Sequence, residues 1–247
     1  MLTLIRCIRS DCRKLRRTFM LPIHIFVPVV ISALFLAYYS VSPWKTESKL
    51  SGFLEFIAVS FPLIIGLISA KAIEQEGQAG SFQNMLCGIK SRTAVYLSKL
   101  ILLFVLGVIS ASLAIEIFGA FFKAAPVVLY LKAIGVLIFS NIFLYVLHQF
   151  VSLQFGRGTS IGLGIAESLI SALALTGLGD GKWYFIPCTW GARLCDYLVY
   201  IWSYPASIPI ANVEIIKGIL IAGISSTIAI VASIFWFRNW EGRKTYD

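Results

Sequence analysis

Residues 101–122 read ILLFVLGVISASLAIEIFGAFF, and this stretch decides the fold class. The block is apolar on every face, and Glu116 is its one charged residue. A helix needs about 20 such residues to cross a bilayer core of about 30 Å. A membrane barrel would instead show short segments in which apolar and polar residues alternate. The block therefore predicts a membrane-spanning helix.

The rest of the chain follows the same pattern. Of its 247 residues, 58% are hydrophobic and only 13% are charged, and the mean hydropathy is +0.85. A soluble domain usually carries about a quarter charged residues. We expect an all-α integral membrane protein in which residues 1–247 form a single transmembrane domain. Its six predicted spans lie at about 19–42, 53–71, 97–122, 127–154, 160–178 and 215–237.

Residues 1–18 form a basic amphipathic segment that precedes the first span. Ile5, Ile8, Cys12 and Leu15 follow helical spacing, and basic side chains occupy the other faces. Such a helix lies in the membrane interface. A signal peptide is the alternative, but the apolar block that follows is too long for one and lacks a small-residue cleavage site.

The distribution of charge predicts the orientation. The net charge is +9, and the basic residues lie beside apolar spans rather than on a soluble face, so we expect no nucleic-acid partner. With the N-terminus inside, fourteen of the twenty-one Lys and Arg residues fall on the cytoplasmic side. The positive-inside rule therefore predicts that both termini are cytoplasmic.

The segment 179–213 is predicted to lie outside, as short helices on or within the outer leaflet. It is rich in aromatic residues, including Trp183, Trp190 and Tyr197, and such residues favour the membrane–water interface. An interfacial anchor and a substrate-contacting surface are both open interpretations. Cys188 and Cys195 also fall outside, where either a disulfide or two free thiols are alternatives.

Motifs for catalysis and cofactor binding are missing from the sequence. His24 and His148 lie in different predicted spans, and the five cysteines lack metal-ligand spacing. The sequence contains no phosphate-binding loop of the type that holds ATP. We therefore predict no catalytic residue, no metal site and no cofactor, and any energy for work must come from a partner or a gradient.

Polar residues inside the predicted spans are candidate functional residues, because they are costly in lipid. Glu167 lies about two turns into the fifth span, and Asn141 lies near the middle of the fourth. We consider both as candidates for an intramembrane polar path. A helix–helix hydrogen bond is the alternative role for each.

The predicted cytoplasmic loop 72–94 contains a second amphipathic stretch. Its apolar residues follow the i, i+3, i+4, i+7 spacing of one helical face: Phe82, Met85, Leu86 and Ile89. Glu74 and Glu76 precede the stripe, and Gln, Asn and Ser dominate its polar face. This composition favours docking on a protein partner over docking on lipid.

Three stretches together resemble the membrane subunit of an ABC-2 type transporter. They are Glu74–Leu86 after the second span, Trp183–Trp190 with its proline, and the terminal Trp240–Lys244. Within that family the chain is similar to the permeases of lantibiotic-protection (self-immunity) transporters, the E and G types, which are related to bacitracin-resistance permeases.

The resemblance implies a mechanism and a set of partners. Two six-span permeases, like or unlike, would associate with a cytoplasmic ABC ATPase dimer, which would hold the ATP and Mg²⁺. The loop after the second span would be the coupling helix, with Glu74, Glu76, Phe82, Met85, Leu86 and Ile89 at the ATPase. The complex would expel a lantibiotic-type peptide from the bilayer of the bacterial cytoplasmic membrane.

Other functions remain open at the level of the sequence. The substrate of an ABC-2 permease can be another drug or a lipid-like molecule. A gradient-driven carrier or channel would favour paired ionisable groups near the midplane. An intramembrane transferase would need a cluster of His, Asp or Ser at one depth, which the sequence does not indicate.

Overall fold

A computed structural model describes residues 2–15, 18–87 and 91–243, and every regular element in these ranges is helical. Short 3-10 turns link the last three helices. The all-α fold class is therefore confirmed. The α-helices within the described ranges are α1 (Leu2–Leu15), α2 (Met20–Val41), α3 (Thr46–Gln78), α4 (Gln83–Leu86), α5 (Arg92–Phe122), α6 (Val127–Gln154), α7 (Arg157–Ala174), α8 (Trp190–Ser203) and α9 (Ile208–Asn239).

Five of these helices are long and apolar enough to cross a bilayer: α2, α3, α5, α6, and α9 together with the turn before it. The predicted span at 160–178 corresponds to α7, which has 18 residues. Because α7 is so short, Arg157 and Glu167 cannot lie outside its apolar stretch, as the charged ends of α3 do. Length and composition therefore do not place α7 among the candidate spans. The count of six spans stays a prediction.

Helix α3 is longer than the predicted span at 53–71. Its 33 residues extend about 50 Å at 1.5 Å per residue, well beyond a bilayer core of about 30 Å. Both of its ends are polar, so hydropathy alone assigned them to loops. The connection to α5 is correspondingly shorter than the predicted loop 72–94, and we call residues 79–91 the junction loop.

Helices α2 and α5 are joined where a proline interrupts the hydrogen bonds of α2. Pro28 has no N–H to donate to the carbonyl of His24, and the Ser110 hydroxyl of α5 donates to that oxygen at 3.1 Å. Ser32 donates to the carbonyl of Ala114 at 2.9 Å. Backbone acceptors in lipid must be satisfied by the protein, so these hydroxyls stabilise the pair.

Helices α3 and α7 approach closely through small residues. A Cβ atom at Gly66 would lie 2.8 Å from the carbonyl oxygen of Ser160, and one at Gly164 would lie 2.8 Å from that of Pro62. Close backbone contact at Gly and Ser is the common way to pack helices in a membrane, where no hydrophobic effect drives association. This contact fixes α7 beside the centre of α3.

Helix α6 occupies the middle of the bundle, in contact with α3, α5, α8 and α9. Helices α2 and α9 bury the smallest share of their residues and lie at the periphery. Stacked rings of Phe53 and Phe118, with centroids 3.8 Å apart, join α3 to α5 in the predicted outer half. At the other end of the bundle, α1 packs against α5.

Candidate coupling junction and intramembrane polar network

Four charged side chains meet where α1, α3 and α5 come together. Lys99 Nζ lies 2.9 Å from Asp11 Oδ1 and 2.7 Å from Glu76 Oε1. Lys14 Nζ lies 2.7 Å from the same oxygen of Glu76, and Ser98 donates to Asp11 Oδ2 at 2.8 Å. We call Asp11, Lys14, Glu76 and Lys99 the charge cluster. It has two acids and two bases, so it is neutral as a whole.

Three members of the charge cluster, Asp11, Glu76 and Lys99, are buried, whereas the Lys14 side chain is partly exposed. The Lys99 and Glu76 side chains are only 7% and 2% exposed. A charge removed from water is tolerated only where partners compensate for its lost hydration. Helix α1 therefore cannot leave α3 and α5 without exposing or unpairing these groups, and the three helices form one mechanical unit.

The cluster changes the predicted orientation of α1. The buried face of α1 carries Cys7, Asp11 and Leu15, whereas Ile5 and Cys12 of the predicted apolar stripe are exposed. The physical reason is that Asp11 is held inward by Ser98 and Lys99. The helical conformation is confirmed, and the location of α1 at the membrane interface stays a prediction.

Glu74 and Glu76 occupy different environments. Glu76 is buried in the charge cluster rather than exposed at a docking face, and its role in coupling to the ATPase stays a prediction. Glu74 is partly exposed and lies between Lys71 Nζ at 3.0 Å and Arg157 Nη1 at 3.3 Å. Exposed pairs of this kind contribute little to stability. Glu74 thus remains available to a partner at the cytoplasmic end of α3 and α7.

The junction loop begins with a left-handed turn. Gly80, Ser81 and Phe82 have φ values of 126°, 49° and 67°. Two consecutive non-glycine residues in this region are uncommon and carry backbone strain. The turn is held by the amide of Ser81, which donates to the carbonyl of Gly77 at 2.7 Å. It reverses the chain so that the Phe82 ring returns to the end of α3.

Two apolar side chains of the junction loop, those of Phe82 and Met85, pack against this chain itself. Phe82 and Met85 are 5% and 3% exposed. The Phe82 ring meets Trp240 edge-on, with centroids 5.2 Å apart. Arg92 donates to the carbonyls of Arg238 and Trp240 at 3.0 and 3.1 Å. The loop and the start of α5 are thereby joined to the end of α9.

This packing corrects the predicted docking stripe. Helix α4 has only four residues, and Phe82 is its N-cap. Phe82 and Met85 do not form an exposed face, because both side chains are buried and Trp240 covers the Phe82 ring. Leu86 is half-buried, and Ile89 lies outside the described residues. Among the described residues, those exposed at the end of α3 and in the loop are mostly polar or small, and we call them the polar crest: residues 78–81, Gln83 and Cys87.

A hydrogen-bonded chain crosses three helices inside the bundle. Glu167 Oε2 on α7 lies 2.8 Å from His148 Nε2 on α6. The other ring nitrogen of His148 lies 3.0 Å from the Ser160 hydroxyl. Ser160 in turn donates to the carbonyl of Gly66 on α3 at 3.2 Å. Glu167 therefore faces the bundle, and its partner is a histidine of this chain.

The hydrogen bonds constrain where the protons lie. Because the Ser160 hydroxyl gives its proton to Gly66, it accepts from His148 Nδ1–H. One further proton then lies between His148 Nε2 and Glu167, on either atom. Ser160 and His148 are fully buried, so this arrangement is closed to a substrate.

Asn141 is not part of this chain of hydrogen bonds. Its side-chain amide donates to the carbonyl of Leu137 in its own helix at 2.8 Å. The structure thus does not bring Asn141 and Glu167 together. A role of either residue in the path of a substrate stays a prediction.

The segment before α9 folds as a compact cap. Trp183 and Trp190 are 0% and 1% exposed, so they are core residues of this chain and their interpretation as interfacial anchors is wrong. Trp183 lies against Gly218, where a Cβ atom would be 2.2 Å from its ring. Trp190 donates to the carbonyl of Tyr184 at 2.9 Å. Tyr197 is half-buried beside Trp183.

The cysteines are all free in the structure. Cys188 and Cys195 are therefore separate buried thiols, which leaves the alternative of a disulfide unsupported. Burial raises the pKa of Cys188 to about 12, with a smaller contribution from Glu167. Burial also raises the pKa of Cys195. Both thiols are protonated and unreactive at neutral pH.

The helical bundle, the basic helix α1 and the junction loop match a known family. The family described as ABC-2 family transporter protein matches residues 7–172. This match covers about two thirds of the chain, which therefore belongs to the ABC-2 transporter family. No curated protein matches the chain. The protein is a multi-pass membrane permease and a non-catalytic subunit, and ATP is hydrolysed by a separate ABC ATPase with which it associates.

Sequence reasoning missed most of the charge cluster. Asp11 is the one acid in a basic segment, and Lys99 lies two residues into the predicted third span. An acid among bases and a lysine inside a span each indicate a side chain that forms an ion pair inside the protein. The partners of both residues are distant in sequence, so the sequence does not identify them. Ser160 and Trp240 were also missed as partners of His148 and Phe82, because a single sequence does not show which helix faces meet.

Proposed function

We propose that this chain is the permease of an ATP-driven exporter that expels a lantibiotic-type antimicrobial peptide from the bacterial cytoplasmic membrane for self-protection. Both termini are cytoplasmic in this proposal, and a second permease completes the membrane part. The support for the peptide class is the resemblance carried by Glu74–Leu86, Trp183–Trp190 and Trp240–Lys244. The support for ATP-driven transport is the membership in the ABC-2 family.

The observation that carries the proposal is the construction of the junction loop. Its polar crest is exposed, while Phe82 and Met85 are buried, with the Phe82 ring against Trp240 at the end of α9. The same end of the bundle contains the charge cluster, which joins α1, α3 and α5. A push on the polar crest by a closing ATPase dimer would therefore reach four helices at once rather than bend a free loop.

The revised contact surface changes how coupling is tested. Gln83→Arg adds bulk and charge to the polar crest without touching the buried residues. Gln154→Arg is the matched control, since Gln154 is also exposed and ends α6 at the same end of the bundle. We expect Gln83→Arg to weaken co-purification with the ATPase about tenfold, whereas Gln154→Arg leaves it unchanged. Equal retention by both variants would show that the polar crest is not the coupling contact.

The peptide class is tested in cells that carry both permeases and the ATPase. We expect these cells to survive a lantibiotic that kills cells with a catalytically inactive ATPase. The peptide should also be recovered from the medium rather than from the membrane. If survival improves only against unrelated drugs, the chain is still an ABC-2 permease, but the peptide assignment is wrong.

A further inference from the structure

An apolar cleft lies between α2, α3 and α5. Its volume is about 400 Å³, within the range of about 300–1,000 Å³ typical of small-molecule sites. The wall along α3 extends from Ile57 to Lys71. The fourteen steps from residue 57 to residue 71, at 1.5 Å each, give about 21 Å, compared with about 15 Å for one leaflet of the hydrocarbon core. The cleft has the length and polarity of an acyl chain.

Charge is concentrated at one end of this cleft. Lys71 and Arg157 line its predicted cytoplasmic end, and both side chains are 56% exposed. They share one acid, Glu74, so a net positive charge remains. The remainder of the lining is almost entirely aliphatic and aromatic. An apolar tail with an anionic head would match both parts.

A buried polar atom at the same end lacks a partner. His24 lines the cleft one turn inside α2, and its Nδ1 atom is 2.6 Å from the carbonyl of Met20. Its Nε2 atom is buried and has no hydrogen-bond partner in the described part of the chain. A buried polar group without a partner costs about 1–3 kcal/mol. A headgroup hydroxyl could donate to this nitrogen.

We propose that the cleft is a binding site for one anionic glycerophospholipid of the cytoplasmic leaflet. An acyl chain occupies the groove, Lys71 and Arg157 bind the phosphate, and His24 Nε2 accepts from a headgroup hydroxyl. The bound lipid fills the gap between α2 and α3, which contact each other little. This site is independent of the exported substrate and of the ATPase contact.

The first test measures lipid binding to the purified chain. The delipidated protein is titrated with phosphatidylglycerol or with phosphatidylcholine in detergent, and bound lipid is counted by native mass spectrometry. Ser60→Phe fills the cleft, since Ser60 lines it and its hydroxyl bonds only to the carbonyl of Phe56 in its own helix. Thr227→Phe is the matched control, because Thr227 is exposed on α9 and bonds to the carbonyl four residues earlier in the same way.

We expect one tightly bound phosphatidylglycerol in the unchanged chain and in Thr227→Phe, and at least about a tenfold weaker affinity in Ser60→Phe. Equal affinity in the two Phe variants would reduce the bound lipid to a non-specific annular layer and overturn the proposal. Displacement of the lipid by a lantibiotic at equal concentration would assign the cleft to the substrate and also overturn it.

A second variant tests the headgroup without affecting the buried part of the fold. Lys71→Gln combined with Arg157→Gln removes both exposed cations, and Glu74→Gln is the control that leaves them in place. We expect the double variant to lose its preference for phosphatidylglycerol over phosphatidylcholine and the control to keep it. If the unchanged chain itself shows no such preference, an anionic lipid site is excluded.

Discussion

Lys99 is the residue on which the charge cluster depends, because it bridges Asp11 and Glu76. Removal of one partner from a buried ion pair leaves an uncompensated charge and typically costs about 3–5 kcal/mol. We therefore expect Lys99→Met to destabilise the protein by an amount of this order. The measurement is the unfolding midpoint of the purified chain in a denaturing detergent.

The control for Lys99→Met is Glu74→Gln, which removes a charge from the same end of the bundle. Glu74 is partly exposed and its partners are largely exposed, so we expect a loss below about 1 kcal/mol. Similar losses in the two variants would mean that burial of the cluster contributes nothing special to stability.

Glu167 gives a second prediction at this scale. One substitution removes its hydrogen bond to His148, and another keeps a hydrogen bond but removes the ionisable carboxyl group. Glu167→Leu leaves His148 Nε2 buried without a partner, at a cost of about 1–3 kcal/mol. Glu167→Gln keeps a hydrogen-bond donor but cannot gain or lose a proton. We expect the Leu variant to lose stability, and the Gln variant to keep its stability yet transport more slowly.

The readouts for Glu167 are the unfolding midpoint and the survival of cells exposed to peptide. His148→Gln with Glu167→Gln, which replaces both titrating groups, should resemble Glu167→Gln in transport. Normal transport by the single Gln variant would show that the acid only holds α6 and α7 together.

At the scale of helices, the sequence predicts apolar interiors better than polar ends. The predicted spans at 19–42 and 127–154 agree with α2 and α6 to within one residue. Helix α3 extends seven residues beyond its prediction at each end. At the C-terminal end, Glu76 is paired with Lys14 and Lys99 rather than solvated. Helical periodicity predicted one apolar face over Phe82–Ile89, but the described helix there has only four residues. Periodicity also did not show that Trp240, more than 150 residues away, covers the Phe82 ring.

The contact between the junction loop and α9 gives a prediction at this scale. Phe82 and Trp240 are packed edge-on, and such aromatic pairs contribute about 0.5–1.5 kcal/mol beyond the area they bury. In a double-mutant cycle, Phe82→Ala and Trp240→Ala should show a coupling free energy of this size. The measurement is the unfolding midpoint of the two single variants and the double variant.

The cycle has a control in Phe185, which is exposed in the cap before α9. Phe185→Ala combined with Trp240→Ala should be additive, because Phe185 belongs to the cap and has Tyr184 as its ring neighbour. Additivity of the Phe82 and Trp240 substitutions would mean that the loop and α9 move independently, and the coupling mechanism would then lose its link to α9.

At the scale of the whole molecule, the structure separates two kinds of surface. The outward faces of α2 and α9 are apolar along their length, with exposed residues such as Phe26, Leu34, Leu220 and Ile228. Large exposed apolar faces of this kind indicate lipid or protein contact. Both helices thus offer a surface for the second permease or for the bilayer, whereas the polar crest is an exposed surface of mostly polar and small residues.

The orientation in the membrane gives the last prediction, and the chain carries its own probe. Cys87 in the polar crest is exposed, whereas Cys7 and Cys188 are buried with raised pKa values, Cys188 to about 12. A Cys12→Ser background leaves Cys87 as the reactive thiol, because a maleimide needs an accessible thiolate. With both termini inside, a membrane-impermeant maleimide should label Cys87 only after the cells are permeabilised.

Lys182→Cys in a Cys12→Ser, Cys87→Ser background places a thiol at an exposed site of the cap, and this thiol should be labelled in intact cells. The permease is expressed without its ATPase, so that a partner cannot cover Cys87. Labelling of Cys87 in intact cells, together with protection of the thiol at position 182, would invert the topology and move the polar crest to the side of the membrane where no ATPase can reach it.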